Sequence, residues 1–141
     1  MAKKMDITFQ IKGVELLEFE LIPLKKALKP QTVFHYDISL QHKINKENKL
    51  VFVVVRVNIL LEDKKTLAGK TGVNSVFSVA NFDDIIIEEE NNKFKFPDET
   101  IDILNSISIS TTRGVMAANF RGTFLHNAIL PVVDPKNLKE E

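Results

Sequence analysis

Leu50-Val51-Phe52-Val53-Val54-Val55-Arg56-Val57-Asn58-Ile59-Leu60-Leu61 is the stretch on which the fold turns. Its odd positions, from Val51 to Leu61, are apolar throughout, while the even ones begin Leu50, Phe52, Val54 and then become polar at Arg56 and Asn58. A period of two marks a strand, and β-branched side chains suit a pleated, packed surface. A strand apolar on one face and half apolar on the other belongs in the middle of a sheet, with part of its second face covered. A partner subunit or a ligand would equally provide that cover.

The flanking sequence supplies the neighbours. Upstream, Phe34, Tyr36, Ile38 and Leu40 alternate with His35, Asp37, Ser39 and Gln41, and Asn45-Lys46-Glu47-Asn48 has turn chemistry. Downstream, the charged turn Glu62-Asp63-Lys64-Lys65 leads into Thr66–Asn81, with Val73, Phe77 and Val79 on one face and Gly69 and Gly72 inside. A further alternating stretch opens the chain, Ile7 to Leu21, in which Gly13 marks a bulge or bend. The lysine-rich segment from Pro23 to Pro30 connects it to the next strand. Connections of this kind predict antiparallel pairing, because parallel neighbours need a crossover of roughly a dozen residues or more. The expectation is a four-stranded antiparallel meander.

Past Asn81 the texture changes. Phe82 to Glu90 reads as a short helix or an extended piece. Phe96-Pro97-Asp98-Glu99 predicts a helix start, since proline suits the first turn and acids favour the positive end of the dipole. The helix is expected to run to about Asn119, with Ile101, Leu104, Ser108, Thr111, Val115 and Ala118 as its packing stripe. Together these elements predict an α+β fold, a single domain over 1–141, with one long and one short helix on one face of the sheet. Residues 1–5 and 139–141 are expected to fray.

Composition excludes several functions. The 141 residues carry 19 basic and 19 acidic side chains, without the basic excess of a dedicated nucleic-acid binder. The absence of cysteine removes disulfides, thiolate metal clusters and thiol nucleophiles. Hydrophobic content of 44% is too high for a disordered chain. The longest apolar run, Leu50 to Val55, falls far short of the roughly 20 residues that span a bilayer. No apolar run of signal-peptide length follows Met1-Ala2-Lys3-Lys4-Met5-Asp6, so no membrane insertion and a cytoplasmic location are expected.

Catalytic constellations are missing. His35, His42 and His126 have no ligand spacing within one element, and Asp83-Asp84 and Glu88-Glu89-Glu90 lack the spacing of a calcium loop. Gly69-Lys70-Thr71-Gly72 lacks the earlier glycine of a phosphate loop and sits within a strand. There is no GxSxG elbow. The sequence predicts no enzyme, no metal and no cofactor. What it does show is surplus apolar surface: ten phenylalanines and no tryptophan, more than one long helix can cover. The spare face is an oligomer interface or a groove for apolar segments.

Three blocks in order resemble the SecB family of protein-export chaperones. They are Thr8-Phe9-Gln10-Ile11; then Val53-Val54-Val55-Arg56-Val57 with Val76-Phe77-Ser78-Val79-Ala80; and Arg121-Gly122-Thr123-Phe124 followed by Pro131-Val132. The resemblance spans roughly residues 8–133. It implies a four-stranded antiparallel sheet with helices on one face, assembly as a dimer of dimers, and nucleotide-independent holding of unfolded or partly folded polypeptides in hydrophobic grooves. Groove positions map to Phe34, Tyr36, Ile38, Leu67 and Phe124. A contact with the SecA motor maps to Glu18. Ile22 and Lys70, however, stand where the family has acids, and the family's cysteine-containing tail is absent, so SecA binding is expected to be weak or lost. The resemblance then points to a holdase, in export or devoted to one client such as an antitoxin. A plain oligomeric adaptor is the rival reading.

Overall fold

The computed structural model describes residues 9–140. Ile7 and Thr8, and the expected frayed ends 1–5 and Glu141, lie outside the described residues. The main sheet is built from β1 (Phe9–Leu21), β2 (His35–Asn45), β3 (Leu50–Leu60) and β4 (Leu67–Val79), all antiparallel, with β3 in the interior as its sequence requires.

The order is β1-β4-β3-β2, which corrects the expected meander. Strands β2, β3 and β4 follow one another through tight turns, but β1 lies along β4, not β2. The cause is the connector, residues 22–34. It is too long for a hairpin turn, and three strand spacings of about 4.8 Å each are well within its reach. The result is a Greek key. Register shifts between Ile11 and Gly13 and between Leu16 and Glu18 put two irregularities into β1, the first beside the glycine that predicts one.

Lys139–Glu140, expected as a frayed end, instead forms β7, parallel to β2 at Ser39 and Leu40. The intervening segment also holds more structure than its sequence suggests. After the short helix α1 (Phe82–Ile85) comes a small hairpin, β5 (Ile87–Glu89) and β6 (Lys93–Lys95), turned through Asn91 at φ 66°. Lys46 ties it to the β2–β3 turn, 3.2 Å from Glu88 and 4.6 Å from the centroid of the Phe94 ring.

One face of the sheet carries the core. Val51, Val53, Val55, Val57 and Ile59 are wholly buried, beside Val73 and Phe77 on β4 and Leu40 on β2. Helix α2 (Asp98–Asn119) lies across β3 and β4 on this face. Its buried stripe is Leu104, Asn105, Ser108, Ile109, Thr112 and Met116. Leu104 and Ser108 are as expected, but the remainder is rotated: Ile101, Thr111 and Val115 are half-buried and Ala118 is exposed. The strand-like Ile107-Ser108-Ile109-Ser110 is accommodated because Thr111 and Thr112 donate their hydroxyls back to the Ile107 and Ser108 carbonyls, each at 2.8 Å.

Past α2, Gly122 adopts φ 78°, a left-handed turn that only glycine enters without cost. The chain then seats Leu125, Ala128 and Leu130 in the core and doubles back along the helix. Arg113 clamps this return, its Nε 2.7 Å from the Leu130 carbonyl and its Nη2 2.9 Å from that of Pro131.

The β3–β4 turn contains an acid-sensitive clip. Asp63 accepts the Thr66 hydroxyl, the Thr66 amide at 2.8 Å and the Lys65 amide at 2.9 Å. These bonds, the Thr66 hydroxyl first, lower its pKa from 3.8 to about 2. A lowered pKa means the folded turn favours the carboxylate, so its contribution is complete above pH 3.8 and is lost as pH falls through about 2. An NMR titration of the Asp63 carboxyl is expected to show that low midpoint; a midpoint near 3.8 would contradict the clip.

Candidate binding clefts along the second strand

Strand β2 is the edge to which the sequence assigns three of its five groove residues. In an antiparallel pair, residues directly opposite share a face. Tyr36 lies opposite Ile59, Ile38 opposite Val57 and Leu40 opposite Val55, so all three project to the helix side. Tyr36 and Ile38 are half-buried where Leu40 is fully buried, because the cover thins towards the sheet edge. Burial raises the Tyr36 hydroxyl above its ordinary pKa of 10.0. Phe34, just before the strand, is also half-buried against the core.

Two of the clefts along this edge take in helix-side residues of β2. The first, of about 660 Å³ and more polar than apolar, brings Tyr36, Ile38 and Leu138 together with Asp37, Ser39, Asn58, Asn137 and the outer-face charges Glu18, Arg56 and Lys70. The second, of about 470 Å³, lies at the other end of β2 between His42, Ile44, Phe94, Phe96 and Ile101. At its floor the His42 Nε2 sits 2.5 Å from the Asn105 Oδ1 of α2.

The remaining groove candidates lie elsewhere. Leu67 lines a separate cleft of about 440 Å³ with Ile22, Pro23, Leu24 and Leu61. Phe124, 41% exposed beyond α2, lines none of these three clefts. Sequence reasoning missed Leu138, Phe94 and Ile44 as wall residues. Leu138 had a signal, an apolar side chain isolated between Asn137 and Lys139 in a polar tail.

Glu18, the possible motor contact, is on the opposite face of the sheet and is not a free acid. Arg56 Nη1 reaches it at 3.3 Å across the intervening β4. Gly72 makes that reach possible: a Cβ there would sit 3.2 Å from the Arg56 Nη1 and 3.4 Å from the Glu18 Cβ. Lys70 lies opposite Glu20, so two of the acids on β1 face a base. Glu15 accepts from the Asn74 side-chain amide at 3.2 Å.

Among the described residues no three His, Asp or Glu side chains gather as metal ligands, and no helix is long and apolar enough to cross a membrane. What the β2 edge does offer is partial burial for apolar side chains beside a backbone ladder that β7 fills at Ser39 and Leu40 alone among the described residues, the two things an extended peptide requires.

No protein-family model matches the chain, and no curated protein matches it. Among solved structures it is similar to the Rv1957 SecB-like chaperone of Mycobacterium tuberculosis, solved in complex with a ChAD peptide from the HigA1 antitoxin. The two chains share 12% identity and a TM-score of 0.57, over 89% of this chain and 90% of the other. The chain has the fold of a SecB-like chaperone. A protein of unknown function from Streptococcus agalactiae is matched more loosely, at a TM-score of 0.37 and 13% identity over 84% of this chain and 90% of that one. The SecB-like fold is the α+β arrangement expected from the sequence: an antiparallel four-stranded sheet, one long helix and one short one.

Proposed function

We propose that the protein is an ATP-independent holdase of the SecB type, acting in the cytoplasm, that binds unfolded or partly folded polypeptides at the mixed apolar and polar clefts of its sheet edge. The observation carrying this reading is the likeness of fold over nine-tenths of the chain to a chaperone caught with a peptide. The chemistry supports it. A non-native chain exposes apolar side chains and unpaired amides; Tyr36, Ile38, Ile44 and Phe94 bury the former, and the β2 backbone pairs the latter. This is binding, not catalysis. Burial is non-directional, so one surface accepts many sequences.

Assembly belongs to the proposal. Strand β1 is a sheet edge of 13 residues, with Ile11, Val14, Leu16 and Phe19 left 39–49% exposed on the helix side. A long apolar edge of that kind calls for a partner strand. Pairing of β1 with β1 of a second copy gives a dimer, and two dimers give the expected dimer of dimers. Several clefts on one assembly then engage one client together, which raises the effective concentration at each.

A client-dedicated variant of the reading has an observation of its own. Arg56 and Lys70 neutralise the outer face where a motor would meet acids, so service to one client fits better than delivery to SecA.

Aggregation of a thermally unfolded test protein, followed by light scattering without nucleotide, tests the function. Stoichiometric chaperone is expected to suppress most of the scatter, and Tyr36→Asp, in the wall of the first cleft, to weaken suppression severalfold with the assembly intact. An assembled protein that leaves aggregation unchanged would support the adaptor reading instead.

A further inference from the structure

The end of the chain crosses the edge that the proposed function assigns to clients. From the Arg113 clamp the chain passes back over the start of α2, where Lys136 lies 3.7 Å from Asp102. Asp134 accepts the Lys136 amide at 3.0 Å and starts a single 3-10 turn, Pro135–Asn137. Asn137 and Leu138 then form part of the wall of the Tyr36 cleft. Residues 139 and 140 complete the crossing by pairing with β2 at Ser39 and Leu40. That position falls between the two clefts, one reaching back to Tyr36 and the other forward to Ile44.

We propose that residues 134–140 are an internal occupant of the client groove, displaced when an extended client segment pairs with β2. The inference rests on the holdase reading. It deepens that reading by specifying the ligand: an extended stretch of about eight or nine residues, since Tyr36 to Ile44 spans about 26 Å at roughly 3.3 Å per residue. Its apolar side chains fill the Tyr36–Ile38 cleft at one end and the Ile44–Phe94 cleft at the other.

The tail is suited to be displaced. Only two of its residues pair with the sheet, and within that stretch only Leu138 offers a large apolar anchor. Its ion pair with Asp102 involves a lysine side chain 70% exposed, and surface pairs contribute little. A client carrying two or three apolar side chains makes every contact the tail makes and adds those of the second cleft. A segment with fewer loses to the tail, which is always at hand. The tail therefore sets a threshold of hydrophobicity below which a chain is not held.

The absence of cysteine allows a direct test. Ser39 and Lys139 are register partners, so Ser39→Cys with Lys139→Cys places the only two thiols on neighbouring strands. Binding of fluorescein-labelled, reduced and carboxymethylated lactalbumin is measured by anisotropy on the oxidised and reduced forms. The oxidised form is expected to lose tenfold or more in affinity and to regain it on reduction. In the parent sequence, Leu138→Asp is expected to tighten binding about tenfold, as removal of a competitor docked in nine molecules of ten would do. Equal binding by oxidised and reduced forms would overturn the tail proposal while leaving the holdase reading intact. If neither the parent nor Leu138→Asp binds the probe, both readings fall. Binding by Leu138→Asp alone would support both.

Discussion

On the proposed β1–β1 pairing, a chain carrying Val14→Asp together with Leu16→Asp is expected to sediment as a single chain at concentrations where the parent is expected to form dimers. Both side chains project to the helix side of β1, opposite Ser75 and Val73, and both are nearly half exposed, at 44% and 49%. They cost the isolated fold little, because β4 pairs with β1 through the backbone and the substituted side chains remain in water. At a two-fold interface built on β1 the same change is counted twice, so four carboxylates meet where four apolar side chains were buried. The expected loss of affinity is at least a hundredfold, about 2.8 kcal/mol at 1.4 kcal/mol per tenfold. Sedimentation velocity checks it, with circular dichroism to confirm that the sheet is retained. A variant with the mass of the parent assembly would place the interface elsewhere.

Phe77→Ala is expected to have the largest effect on stability, a loss of about 3–5 kcal/mol. Typical domains have only about 5–15 kcal/mol in total, so much of this fold's margin would go. Phe77 is fully buried on β4, aligned with Val51 of β3 and Ile11 of β1. Its ring joins the one strand that tight turns do not hold in place to the interior of the sheet. Urea unfolding measures the loss. Phe52→Ala, on the outer face and half-buried, is the control and is expected to move the midpoint much less. Equal shifts would mean that the two faces contribute alike.

The β3 pattern could be read correctly because a period of two depends only on which face is dry, and that is written residue by residue. The partner of β1 could not be read that way. Alternation shows that a strand has a buried face but not which strand lies beside it, and the connector at 22–34 is long enough to permit either neighbour. In α2, the choice between Thr111 and Thr112 or between Val115 and Met116 is a rotation of the helix, decided by what the sheet presents. The β5–β6 hairpin escaped because three-residue strands are too short to show a period.

The site was legible only in part. Tyr36 and Ile38 share a cleft because they share a strand face, which sequence can specify. All five groove positions were grouped by resemblance, and the structure places Leu67 in another cleft and Phe34 and Phe124 outside all three. Leu138 and the second cleft depend on where the tail and the hairpin settle against β2, contacts between distant parts of the chain with no local signature.

The position of β1 has a consequence for how the protein is made. Phe9 meets Val79 and Leu21 meets Gly69, so β1 is made well before the strand it pairs with. Pairings this distant in sequence form slowly, since a long loop must close before any contact rewards it. Throughout that interval Ile11, Val14, Leu16 and Phe19 travel in an unpaired segment. The emerging chain thus displays, until β4 has been made, the kind of surface that the finished protein is proposed to shelter in others.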